Sequence, residues 1–234
     1  MKDYAFFLTF LITIVLFATL AFYINRKYKK EDMTVQLREC FNLVRDSSVA
    51  AMAHYQIWFA LRGEEKAVKT HFDDMNDTRY VDFFLASNSG NYKLMFIETA
   101  CLFDSDEKTH NIRSLKALLS SNDLSELTKK FNSKLSPYTK LVSNIKTIRS
   151  RIIAHKEANV EPKELYKKHG IKPDDIKDLL NTVAELLGEV ESKLNNNSSS
   201  STCGVTDRWE RATFNLLKAL HNGKNSQQNV QADT

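Results

Sequence analysis

Apolar positions recur at three- and four-residue steps along most of the chain, which is the period of an amphipathic helix. From residue 34 to 62, Leu37, Phe41, Val44, Ser48, Ala51, Tyr55, Trp58 and Phe59 mark one face, and Gly63 supplies a stop. GEEKAVKTHFDDMNDTR, 63–79, is polar and reads as loop. YVDFFLASNSGNYKLMFIETACLFD, 80–104, is apolar enough for a second long helix, with a kink or break expected at SNSGN, 87–91. SDEKTHNIRSLKALLSS begins with cap-like residues and sets Ile112, Leu115, Leu118 and Leu119 on one face. DLSELTKKFNSKL, opening at Asp123, is a further short helical pattern.

Pro137 suits a first helical turn, so residues 137–155 read as a helix with Leu141, Ile145, Ile148 and Ile152 in an apolar stripe. EPKELYKKHGIKPDD gives a short helix capped by Gly170, and 174–194 another long amphipathic one. NNNSSSSTCG is low in complexity, so 195–205 reads as a flexible linker. It divides a helical domain over 31–194 from a final helix over 206–221 that packs on the bundle, and 222–234 is an expected disordered tail. No run alternates with the period of a strand, and Gly (6) and Pro (3) are too few for a many-turned β fold. The fold class expected is an all-α bundle.

The first thirty residues differ. Tyr4–Ile24 holds 21 residues without a charge, which as a helix would extend about 31 Å, close to a bilayer's hydrocarbon thickness. Arg26, Lys27, Lys29 and Lys30 follow it, so the positive-inside rule places the C-terminal side in the cytoplasm. The expectation is a single N-terminal transmembrane helix in the inner (cytoplasmic) membrane, with 1–30 as anchor and basic flank. Those thirty residues carry a net +4, which is the net charge of the whole chain, so residues 31–234 are neutral. A neutral domain lacks the broad basic field of a general nucleic-acid binder, and any such chemistry must come from a local cleft.

Cys40, Cys101 and Cys203 are too few and too scattered for a disulfide framework or a zinc motif, and neither metal nor cofactor is expected. No phosphate-loop, dinucleotide, metalloprotease or nucleophile-elbow motif occurs. Of six histidines, His54 reads as half-buried packing, and His71, His110, His169 and His221 as solvated. The acid pairs Asp73–Asp74 and Asp174–Asp175 read as loop and cap charges.

His155 stands apart because of its neighbours in IRSRIIAHKE, 148–157. Arg149 precedes it by six residues and Arg151 by four. On a straight helix Arg151 shares its face, while Arg149 lies about 120° away. An imidazole moves protons near neutral pH, and a guanidinium grips a phosphate through two parallel hydrogen bonds. Together they suffice to cleave RNA with its own 2′-hydroxyl as nucleophile, without a metal. The competing reading is a helix end whose basic residues complement the macrodipole.

Arg149-Ser-Arg-Ile-Ile-Ala-His155 resembles the arginine–histidine signature of HEPN domains, in the form found in their AbiU-type abortive-infection branch. FIETACLFDSDEKTHNIRSLKALLSS, 96–121, is similar to the same branch, where an apolar helix ends in Leu-Phe-Asp and a Ser-Leu-x-x-Leu-Leu helix follows. The resemblance covers roughly residues 36–221. It implies a HEPN-like helical bundle that forms a homodimer, with two motif helices facing a shared cleft. It implies a metal-independent endoribonuclease of a phage-defence or toxin–antitoxin system, here membrane-anchored, with RNA as substrate and an antitoxin or defence-system protein as further partner. Arg149 would bind phosphate and His155 transfer protons, while Ser150, Arg151 and Lys156 would contact the RNA. The alternative is a non-catalytic HEPN module at the membrane that binds nucleotide or scaffolds other proteins.

Overall fold

The computed structural model describes residues 33–62, 69–106, 108–154, 168–195 and 207–232, and among them there is no strand. Helix α1 spans residues 33–62. Its apolar face is the expected one: Leu37, Phe41, Val44, Ala51, Tyr55 and Trp58 are all buried. A short helix α2, Phe72–Met75, precedes α3, Val81–Leu102. The next two helices, α4 (Ile112–Ser121) and α5 (Ser125–Leu135), form a tight hairpin. Asp123 turns the chain between them with φ of 61°, a conformation that a short polar side chain tolerates, and the Leu124 N–H donates to the Leu119 carbonyl at 2.9 Å.

A 3₁₀ turn, Ser136–Tyr138, carries Pro137 and leads into α6, Thr139–Ile148. The chain then winds into a π-helical turn, Arg149–Ala154. Helix α7, Pro173–Leu194, opens with proline in its first turn and Asp174 and Asp175 beside it, the charges that suit a helix N-terminus. The last helix, α8, runs over Arg208–Ala232, past the end at His221 that its apolar pattern suggests.

Side chains of α1, the second half of α3, and α4, α5, α6 and α7 form one continuous core. A smaller cluster of Leu61, Met75, Phe84 and Leu217 joins the end of α1 to α2, α3 and α8. Gln56, buried on α1, seats the start of α8: its Oε1 accepts from the N–H groups of Trp209 at 3.2 Å and Glu210 at 3.4 Å. Those are the donors a helix leaves without internal acceptors.

Two expectations need correction. The SNSGN stretch does not break α3, which is helical throughout 81–102. Its polar side chains are used instead: Asn91 Nδ2 donates to the Ser87 carbonyl at 2.8 Å, and Asn91 Oδ1 meets His54 Nδ1 of α1 at 2.8 Å. The second correction concerns the transmembrane helix and the single-pass membrane location. Among the described residues no helix is long and apolar enough to cross a membrane. The long helices interleave charge with apolar residues, as with Asp82, Lys93 and Glu98 in α3. Tyr4–Ile24 itself lies outside the described residues, as do 63–68, 155–167 and 196–206.

Candidate functional site

Ile145 and Ile148 lock α6 into the core, at 1% and 0% exposure. The π turn begins at the next residue, and Arg149, Ser150 and Arg151 all lie on it, partly exposed. A π turn closes its hydrogen bonds five residues apart rather than four, and such turns are rare and concentrate at functional sites. The angles projected on a straight helix therefore do not apply to this segment. His155 and Lys156 follow directly and lie outside the described residues.

The π turn packs against α3, as does α6. The contact brings the C-terminal end of α3 to the motif, and with it Cys101 and Asp104. Burial pushes the Cys101 thiol up, nearby Glu98 adds to this, and the Arg149 guanidinium opposes it. The thiol is thus held in its protonated, unreactive form. Asp104 is drawn down from the ordinary carboxylate range, first by the Asp106 N–H; the charges of Lys146 and Arg149 act in the same direction. Its Oδ1 accepts from the N–H of Ser105 at 2.6 Å and of Asp106 at 3.1 Å.

That acidic turn is fixed from its far side. Asn111, 1% exposed, accepts from the Ser114 N–H at 2.9 Å while Ser114 Oγ accepts from the Asn111 N–H at 2.9 Å. This reciprocal cap starts α4. Asn111 Nδ2 also donates to the carbonyls of Asp106 and Thr109, at 3.0 and 3.2 Å. The two segments that resemble the HEPN pattern, 96–121 and 149–155, are thereby held side by side as far as Ala154.

Beside Asp104 lies a cavity of about 360 Å³, with Arg113, Lys116, Asn132, Ser136 and Thr139 on its polar wall. Arg113 donates to the Ser105 carbonyl at 3.3 Å and Lys116 to Asn132 Oδ1 at 2.6 Å. The sequence reading marked Asp104 only as the end of Leu-Phe-Asp and did not single out Arg113 or Lys116, whose association with the motif exists only after α3, α4 and α6 have packed.

Three histidines read as solvated are bonded to side chains instead. His169 Nδ1 meets Asn144 Oδ1 at 2.9 Å, on the motif-bearing helix. His71 is 8% exposed and bonds Asp74, which is 5% exposed, and His221 bonds the same carboxylate. Neither Asp74 nor its two histidines follows any motif spacing, since His221 lies 147 residues from Asp74.

Among the described residues, an all-helical bundle thus sets an arginine motif on a π turn beside a Leu-Phe-Asp helix end. The AbiU2 family of HEPN domains matches residues 34–212, well over half of the chain, and the chain belongs to that family. No curated protein and no solved structure matches it.

Proposed function

We propose that this protein is a metal-independent endoribonuclease of an abortive-infection system, acting as a homodimer. One observation carries the reading: in a chain of the AbiU2 family, Arg149 sits on a π turn that packs against the α3 end bearing Asp104. In this reading Arg149 holds the scissile phosphate by two parallel hydrogen bonds and stabilises the charge that builds on its oxygens. His155 takes the proton of the 2′-hydroxyl. The 2′ oxygen then bonds to phosphorus, the bond from phosphorus to the 5′ oxygen breaks, and a second imidazole returns a proton to that oxygen. The products are a 2′,3′-cyclic phosphate and a 5′-hydroxyl. Two motif helices facing one cleft supply both imidazoles. Ser150 orients the phosphate, and Arg151 and Lys156 contact the flanking backbone. An antitoxin or other defence-system protein would restrain the activity.

The test is cleavage of labelled cellular RNA in a chelating buffer by wild type, Arg149→Ala and His155→Ala, with folding checked by circular dichroism in the same buffer. Loss in both variants by about 10²-fold or more supports the proposal. Undiminished cutting by either removes it. A second reading, a non-catalytic module that binds nucleotide or protein, is favoured by the neutral charge of residues 31–234. It predicts saturable binding of nucleotide or partner with no turnover.

A further inference from the structure

His71, Asp74 and His221 bring three ligand atoms to one point, all within 4.8 Å of one another. Both imidazoles present the same nitrogen to the same oxygen: Nδ1 of His221 lies 2.8 Å and Nδ1 of His71 3.3 Å from Asp74 Oδ2. The rings meet edge to face, with centroids 5.6 Å apart. His71 and Asp74 are buried and His221 is partly exposed, so the point is enclosed on the protein side and open on one other.

The surroundings hold these groups as outer-shell residues hold metal ligands. The second Asp74 oxygen, Oδ1, is occupied by Lys224 Nζ at 3.0 Å. That ammonium also meets Asp77 Oδ2 at 3.0 Å, and Asp77 is gripped in turn by Arg79. Oδ2 is thereby left turned toward the histidines. The remote nitrogen of His221 is held by Asn225 Nδ2 at 3.1 Å; a flip of that amide would offer it an acceptor instead. Tetrahedral zinc with bonds of about 2.0–2.1 Å to nitrogen and oxygen needs ligand atoms roughly 3.3 Å apart. The His71 distance to Oδ2 meets that value, the His221 distance is about 0.5 Å short of it, and the two histidine nitrogens, within 4.8 Å of each other, draw together as the ion enters.

We propose that His71, Asp74 and His221 bind a divalent transition ion of the zinc class, with water in the fourth position, and that this ion pins α8 to α2. Imidazole and carboxylate donors in this number suit zinc, and cobalt or nickel as substitutes, rather than magnesium. The Lys224 charge beside the ion is balanced by Asp77. The ion's place is structural: it joins segments that otherwise meet through the Lys224 ion pairs and the small cluster of Leu61, Met75, Phe84 and Leu217.

The experiment uses the full chain stripped with chelator and titrated with Zn²⁺, with Co²⁺ as a spectroscopic stand-in. Expected are one saturable site, visible absorption of tetrahedral Co²⁺, and a Tm raised by about 5–10 °C at a hundredfold excess over Kd. His71→Ala and His221→Gln should each abolish all three. His110→Ala, at an exposed histidine, should leave them unchanged. The His221→Gln amide can still donate to Asp74, so this variant keeps the helix contact while losing the ligand. Should no saturable binding occur, should Mg²⁺ compete equally, or should either ligand variant bind as wild type, the site does not exist.

Discussion

Asn144 clasps His169 twice: its Nδ2 donates to the His169 carbonyl at 3.0 Å, and its Oδ1 accepts from the ring Nδ1 at 2.9 Å. The chain that leaves the motif at Ala154 is thus returned to the same helix, α6, before Gly170 turns it with φ of 52° into α7. Asn144→Ala removes both bonds. We expect a loss of about 1–2 kcal/mol in urea unfolding, and a larger fractional loss of RNA cleavage than that destabilisation accounts for at low denaturant. Unchanged cleavage would show that the clasp does not position the motif.

Arg149→Lys separates charge from geometry. A lysine keeps the positive charge beside Asp104 but cannot form the two parallel bonds of a guanidinium. Stability should change by less than about 1 kcal/mol, while cleavage falls at least tenfold. Full activity with lysine would mean that only charge matters there.

Asp74 gives the fold a pH dependence whose sign follows from its surroundings. Burial disfavours its charged form, but the bonds from Lys224, His221 and His71 outweigh that and hold its carboxyl below the ordinary range. A depressed folded-state pKa means stability that is complete above the unfolded value, near 3.9, and is lost as pH falls through the folded one. Wild type should lose unfolding free energy steadily below about pH 5, and Asp74→Asn should flatten that slope. Parallel slopes in the two proteins, measured by urea titration between pH 5 and 3, would contradict the assignment.

Gly90 lies inside α3, and a methyl group placed on it would meet no atom within 4 Å. Glycine in a helix interior is about 0.5–1 kcal/mol worse than alanine. Gly90→Ala should therefore raise Tm by roughly 1–4 °C. A drop would indicate that this surface of α3 is covered in the working assembly.

Ile148 is the last core residue before the π turn, at 0% exposure. Ile148→Ala should cost about 2–5 kcal/mol, and Ile148→Val about 0.5–1.5. If the turn depends on this anchor, amide exchange at Arg149–Arg151 should accelerate more in the alanine variant than in α1.

The long periodic segments were legible because their apolar stripes are what the core buries: Leu37 to Trp58, Leu115 with Leu119, and Ile145 with Ile148 are each found inside. The arginine–histidine motif was legible as a short string, and so was its upstream companion. The π turn was not, because a shift from four- to five-residue bonding leaves no mark on the regular apolar spacing of Leu141, Ile145, Ile148 and Ile152. SNSGN misled because low helix propensity is overridden when Asn91 finds Ser87 within the helix and His54 across from it. The burial of His71 and Asp74 was beyond reach, since α8 arrives from the far end of the chain to cover them.

The length of α8 bears on how the protein should be handled in the laboratory. A chain cut after His221, or fused there to a bulky tag, would retain the histidine yet lack Lys224 and Asn225. Asp74 would then keep its burial without its ammonium, and Asp77 would retain Arg79 alone. Trimming those final residues as dispensable would leave the C-terminal helix tied to α2 by His221 and the Leu217 cluster alone, so crystallisation and assay samples should extend at least through Asn225.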